Sequence, residues 1–228
     1  MGGTAPARPA CDNPRVSQTI RSAASVIAIS DGAEGPSVLV VERSPRSRFL
    51  AGYLVFPGGA VDEGDADLAS RWFGSRGEAA RAAAVRELAE EAGLALTADG
   101  LREIDEGEPL AASAASPPSA AQLSEMTHWV APDDVPVRFD ARYYAVAATP
   151  GLRPTADGVE ASRAWWVAPG ELLAAWEAGD AKLYWPTYYT VTQLARCDGV
   201  DELLALRFPA RDADDDEMDR LPRSVFWG

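Results

Sequence analysis

The sequence predicts a single α/β domain. Three observations carry that expectation: β-branched runs at 24–30 ("ASVIAIS") and 36–44 ("PSVLVVERS"), a strongly helical segment at 75–94, and a return to mixed strand and helix patterns in the C-terminal half. A chain of 228 residues can bury one sizeable core, and no internal repeat divides it.

The elements follow in order. Residues 1–18, rich in Pro, Gly, Ala and Arg, read as a flexible arm and lack the apolar stretch of a secretory signal. The two β-branched runs flank "DGAEG", which predicts a hairpin. "YLVFPGGAVDEGDAD" is a short strand broken by Pro57-Gly58-Gly59 and followed by an acidic turn. "SRGEAARAAAVRELAEEAGL" is the strongest helix, with Ser75 and Glu78 in capping-box spacing and Gly93 where a C-terminal glycine belongs. Residues 105–121 read as a loop with a short helix, and "THWVAP" and "RYYAVAA" as strands. "SRAWWVAPGELLAAWEAGD" predicts a strand running into a helix that ends near Gly179, and "PTYYTVTQLARCDGVDELLAL" a final helical pair. The acidic stretch "RDADDDEMDR" reads as a solvated face.

Composition narrows the function classes. A net charge of −14 without a basic stripe argues against nucleic acid and against a membrane surface. A phosphate-bearing substrate would need a local counter-charge, which divalent cations supply. Cys11 and Cys197 are too few and too far apart in sequence for a disulfide framework, and the single histidine, His128, weighs against His-based metal sites and a Ser-His-Asp triad. No apolar run approaches a membrane span. The expectation is a cytoplasmic protein.

The densest chemistry lies in "RELAEEAGL", Arg86–Leu94. Successive helix residues turn by about 100°, so Glu87, Glu90 and Glu91, spaced i, i+3 and i+4, converge on one face. Ala84, Val85, Leu88 and Ala92 form another face, suited to packing on a sheet. Arg86 stands four residues before Glu90 and can pair with it. Clustered carboxylates repel unless a cation sits between them, and oxygen ligands suit Mg²⁺ or Mn²⁺. A solvated glutamate face is the rival reading. The "FPGG" turn upstream, with its backbone amides and carbonyls, favours a cation site that holds a diphosphate.

These residues resemble the Nudix hydrolases, whose signature is Gly, five residues, Glu, seven residues, then Arg-Glu-apolar-x-Glu-Glu-x-Gly-apolar. The second half fits throughout: Glu78, seven residues, then Arg86-Glu87-Leu88-Ala89-Glu90-Glu91-Ala92-Gly93-Leu94. The first half departs. Asp65 stands where Glu belongs after Gly59, and Glu78 comes well beyond it, which an insertion at 65–77 explains. A second irregular stretch lies near 105–126. Asp65 and Glu78 divide the first glutamate's role in a way the sequence leaves open, since Glu78 is also the capping partner of Ser75.

The resemblance implies an α/β/α sandwich with a mixed sheet and extra helices, spanning 19–228. It implies Glu87, Glu90, Glu91 and the Gly58 carbonyl as metal ligands, with Arg86 orienting Glu90. The implied reaction is Mg²⁺- or Mn²⁺-dependent hydrolysis of a nucleoside diphosphate linked to another group. Glu160 is a candidate further carboxylate, against a plain surface role. "RSPRSRFLAGYLVFPGG" is similar to the coenzyme A diphosphatase branch through Arg43, Ser44, Arg48, Gly52 and the Phe56–Gly59 turn, with Ser47 where that pattern has Leu. Arg43, Arg48 and Arg142 are candidate phosphate contacts, against ordinary salt bridging. ADP-ribose, dinucleotides or oxidised nucleoside triphosphates are the alternative substrates, and a nucleotide-binding module without catalysis is the alternative of another class. Homodimerisation follows only by analogy with the family.

Overall fold

In a computed structural model the described residues are 20–32, 35–104, 108–131 and 138–211. The arm at 1–18, nearly all of the acidic stretch at 211–220 and the final "LPRSVFWG" lie outside them. The strands are β1 (Arg21–Gly32), β2 (Gly35–Arg43), β3 (Leu54–Val55), β4 (Gly58–Ala60), β5 (Leu94–Thr97), β6 (Gly100–Glu103), β7 (Ser124–Val130), β8 (Phe139–Ala148) and β9 (Ala161–Val167). The helices are α1 (Asp65–Phe73), α2 (Ala79–Ala92), α3 (Ala111–Ala115), α4 (Pro169–Ala178), α5 (Trp185–Leu194) and α6 (Val200–Ala205).

A mixed sheet runs β3-β2-β1-β8-β7, with β4 added to β1 and β9 to β2. β1 organises it. One edge pairs with β8 in parallel from Arg21↔Phe139 to Ser30↔Ala148. The other edge is shared: its start takes β4 antiparallel, at Ala23↔Ala60 to Ser25↔Gly58, and its end takes β2.

Both faces of the sheet are covered. Val26, Ala28, Leu39 and Val41 pack with Ala84, Val85, Leu88 and Ala92 of α2. Their alternate neighbours Ile27, Ile29, Val38 and Val40 pack with Leu172, Val191, Leu194 and Leu203 of α4, α5 and α6. Burial on both sides is why these strands read as unbroken apolar runs rather than as alternating ones. The result is the expected α/β/α sandwich.

Three local readings need correction. Ser75 caps as expected, but a turn of 3-10 helix, Arg76–Glu78, precedes α2 and the Ser75 hydroxyl accepts from the Gly77 amide. Glu78 does not complete a capping box, because its carboxylate pairs with Arg81 one turn on. The insertion at 65–77 contains a helix, α1, packed beside α2 through Ala69 and Trp72. The β5–β6 ribbon was not anticipated, because "LALTADGLRE" offers only Thr97 as a β-branched residue and each strand has four residues. The other elements, including the α2 stop at left-handed Gly93 (φ 63°), agree with the sequence reading.

Candidate active site

The site is built where β4 is squeezed between β1 and α2. The Pro57 carbonyl accepts from the Val26 amide at 2.8 Å. A Cβ at Gly58 would stand 2.4 Å from the Ala24 carbonyl oxygen and 2.7 Å from Ser25 Cα. A Cβ at Gly59 would stand 2.3 Å from Glu87 Oε1. Close approach of backbone, not φ, requires glycine at 58, whereas a side chain at 59 would displace the Glu87 carboxylate.

The inner surface of α2 consists mainly of small residues, with Ala82, Ala83, Ala84, Ala89 and Ala92 all buried, so the helix lies close to the sheet. That proximity takes Glu87 and Glu91 out of solvent, at 8% and 3% exposed. Glu91 Oε2 accepts a 2.9 Å hydrogen bond from the Gly58 amide. Burial pushes the Glu91 carboxyl up to about 8, opposed by the Gly58 amide, raised further by Glu87, and opposed again by the Arg43 guanidinium. Burial also raises Glu87, against the nearby Arg86 charge.

Arg86 organises the rest, and all five of its N–H donors are used. Nε donates to Asp65 Oδ1 and Nη2 to Asp65 Oδ2, both at 3.0 Å. Nη2 also reaches the Ala60 carbonyl at 3.1 Å, tying α2 to β4. Nη1 donates to Glu87 Oε1 at 2.8 Å and Glu90 Oε2 at 2.9 Å. Asp65, the first residue of α1, is 1% exposed and accepts from the Asp62 amide at 2.7 Å. Asp65 and Glu78 thus take different partners. Asp65 grips Arg86, while Glu78 turns away to Arg81.

The expected convergence of three carboxylates is not what the structure shows. Among the described residues no three Asp, Glu, His or Cys side chains are grouped to hold a metal ion. Glu87 and Glu90 close on Arg86, whereas Glu91 turns to the glycine strand. Helical spacing puts the three on one face, but an adjacent guanidinium and a backbone amide set their directions. The donors still fit a hard divalent cation in kind: they are carboxylates beside a backbone turn, and two of them are buried, which raises their pKa.

The remaining expected residues divide. The charge of Glu160 reaches both Glu87 and Glu91, raising each. The Asp157 carboxylate shapes that turn, accepting from the Glu160 and Ala161 amides, and the Glu160 carbonyl accepts from Ser44 at 2.8 Å. Arg43, at the end of β2, is held by a 3.1 Å bond from its Nε to the Phe49 carbonyl. Arg48 is exposed. Arg142 is engaged elsewhere, with one guanidinium nitrogen at 3.0 and 2.9 Å from the two oxygens of Glu125 across β7 and β8. Trp166 donates to the Leu152 carbonyl and packs on the core, and Trp165 lies under Arg163. His128 pairs with Asp140. Ser25, which underlies Gly58, was not singled out from the sequence, because only the β1–β4 register brings it there.

A family model described as "NUDIX domain" matches residues 19–185. The chain belongs to the Nudix hydrolase family. It is similar to putative nudix hydrolase 7 of Caenorhabditis elegans, at 29% identity over 199 residues, covering 80% of this chain and 63% of that protein. The Nudix chain thus spans less than two thirds of that relative's length. A crystal structure of a NUDIX hydrolase from Alicyclobacillus acidocaldarius superposes with a TM-score of 0.71 at 30% identity, covering 83% of this chain and 97% of that one. The NUDIX domain of Shewanella oneidensis NrtR, solved with ADP ribose, shares the fold at 15% identity and a TM-score of 0.51, covering 82% and 93%. No described helix of this Nudix chain is long and apolar enough to cross a membrane.

Proposed function

We propose that the chain hydrolyses the diphosphate bond of a nucleoside diphosphate linked to a second moiety, with Mg²⁺ or Mn²⁺ held by Glu87, Glu90, Glu91 and the Gly58 carbonyl. The supporting observation is the burial of Glu87 and Glu91 against a double-glycine strand that leaves no room for a side chain. A bound divalent cation neutralises a diphosphate and acidifies a water for in-line attack on phosphorus. The protein's own groups do the positioning. Asp65 fixes the guanidinium of Arg86, which fixes Glu87 and Glu90. Glu160 brings a further carboxylate to the same place and is the proposed acceptor of the water's proton at its Oε atoms. Arg43 and Arg48 are the proposed phosphate contacts, whereas the pairing of Arg142 with Glu125 favours its structural role.

ADP-ribose or a dinucleotide is the first substrate reading. Coenzyme A is the second, supported by Arg43, Ser44, Arg48 and Gly52 ahead of the turn, with Gly52 at φ 72° where a side chain would be strained. The test is a panel of ADP-ribose, NADH, coenzyme A and nucleoside triphosphates with Mg²⁺ or Mn²⁺, products identified by mass. Release of AMP from ADP-ribose supports the first reading, and release of 4'-phosphopantetheine from coenzyme A the second. Binding of nucleotides without cleavage of any would overturn catalysis in favour of a binding module.

A further inference from the structure

The Phe56–Gly59 turn enters the site on two very short strands, β3 with two residues and β4 with three. Its front is fixed by the Gly58 amide on Glu91 Oε2 at 2.9 Å and by the Arg86 bond to the Ala60 carbonyl. Behind it, on the opposite face of the sheet, stand two hydroxyl side chains that the diphosphate reading leaves unused.

Those hydroxyls belong to Ser25 and Tyr143, and strand register brings them there. Ser25 is the antiparallel partner of Gly58, and Tyr143 is the parallel partner of Ser25 across β1 and β8. Partners in register project to the same face of a sheet. Here that face is the one covered by α4, α5 and α6, because Tyr143 packs on the core that includes Ile27 and Phe56. Ser25 Oγ occupies the space that a side chain at Gly58 would need, 2.3 Å from the position of its Cβ. The Tyr143 hydroxyl shares a hydrogen bond with the Ser25 side chain. The Tyr143 ring meets Phe56 edge-to-face, centroids 6.3 Å apart at 89°. One tyrosine therefore bears on both limbs of the turn. Its ring holds the residue before Pro57, and its hydroxyl, through Ser25, holds the residue after it. The next residue of β8 faces the other way: Tyr144 lies on the α2 side, where the Arg81 guanidinium stands 5.0 Å from its ring.

We propose that Tyr143 is a positioning residue for the site, which with Ser25 buttresses the glycine turn from behind and fixes how Gly58 faces Glu91. The inference rests on the proposed hydrolase reading, in which Gly58 and Glu91 hold the cation. A backbone carbonyl cannot be re-aimed without moving its strand, so a support behind the strand sets the direction of the ligand.

The test begins with the metal-stripped protein. Tyr143→Phe keeps the ring on Phe56 and removes only the hydroxyl, and Ser25→Ala removes its partner. Each should speed hydrogen exchange at the Gly58 amide roughly five-fold, the scale of one hydrogen bond. The double variant should exchange no faster than either single one, because the two hydroxyls act as a unit. Tyr144→Phe should leave that amide unchanged. Unaltered exchange in Tyr143→Phe, or effects that multiply in the double variant, would overturn the assignment. Mn²⁺ titration, followed by the electron paramagnetic resonance of the free ion, then reads the site itself. Affinity should fall roughly five-fold in both single variants. Faster exchange with unaltered Mn²⁺ affinity would confine Tyr143 to the fold and reject the positioning role. If the wild-type protein binds no Mn²⁺, the metal reading fails separately, and exchange at Gly58 still decides the buttress. Working below the melting transition of each variant excludes global unfolding as the cause.

Discussion

Arg86 and Arg142 are both arginines that the sequence places in the site, and each is bonded to carboxylates. Their surroundings differ. The Arg86 side chain is 13% exposed, has every donor engaged and joins three elements through Asp65, Ala60 and Glu87. The Arg142 side chain is 39% exposed and bonds to Glu125, at a similar exposure. A buried arginine surrounded by acids is costly to assemble and costly to break, whereas a half-exposed cross-strand pair is nearly neutral. Burial with complete satisfaction therefore separates an organising residue from a decorative one, although both look alike in sequence.

The largest expected effect is on turnover. Glu91→Gln keeps an acceptor for the Gly58 amide but removes the charge, and should lower kcat by roughly a hundred-fold or more while the fold persists. Near-normal turnover would remove Glu91 from the proposed metal set. The arginine comparison comes next. Arg86→Ala leaves Asp65 and Glu87 without their partner and should cost about 3–5 kcal/mol in urea unfolding. Arg142→Ala should cost no more than about 1 kcal/mol. Equal losses would break the contrast.

Gly58→Ala sharpens the steric side of the site. Its methyl would press on the Ala24 carbonyl and Ser25 backbone, costing about 1–3 kcal/mol. A melting temperature equal to wild type would mean that β4 gives way more easily than its packing implies.

The smallest effect is in pH. The native Glu91 carboxyl titrates near 8, above its unfolded value of about 4.3, so the folded state binds the proton more tightly. Its contribution to stability is full below the unfolded value and is lost as pH rises through the folded one. The metal-stripped protein should therefore melt progressively lower from pH 5 to pH 8, with Glu87 acting in the same direction. The Glu91→Gln protein should show a shallower slope, and an identical slope would assign the effect to other groups.

Much of the site was legible in local spacing. The hairpin, the glycine turn and the helix with Glu87 and Glu91 one turn apart all depend on residues near one another in the chain. The readings that failed were those requiring direction or a distant partner. Glu78 had two plausible local roles, and the proximity of Arg81 gave it a third. Glu90 and Glu91 share a spacing pattern, yet one faces Arg86 at the surface and the other is buried on Gly58.

By itself the amino-acid order determined that a double-glycine turn precedes an acidic helix and where helix and turn begin, because those are questions of backbone preference over a few residues. Only the folded arrangement decided that Asp65 grips Arg86, that the charge of Glu160 is felt at Glu87 and Glu91, and that Arg142 pairs with Glu125. Those outcomes depend on how β1 registers with β4 and β8 and on how closely an alanine-faced helix lies on the sheet. Such distances arise between segments far apart along the chain, where no local pattern records them.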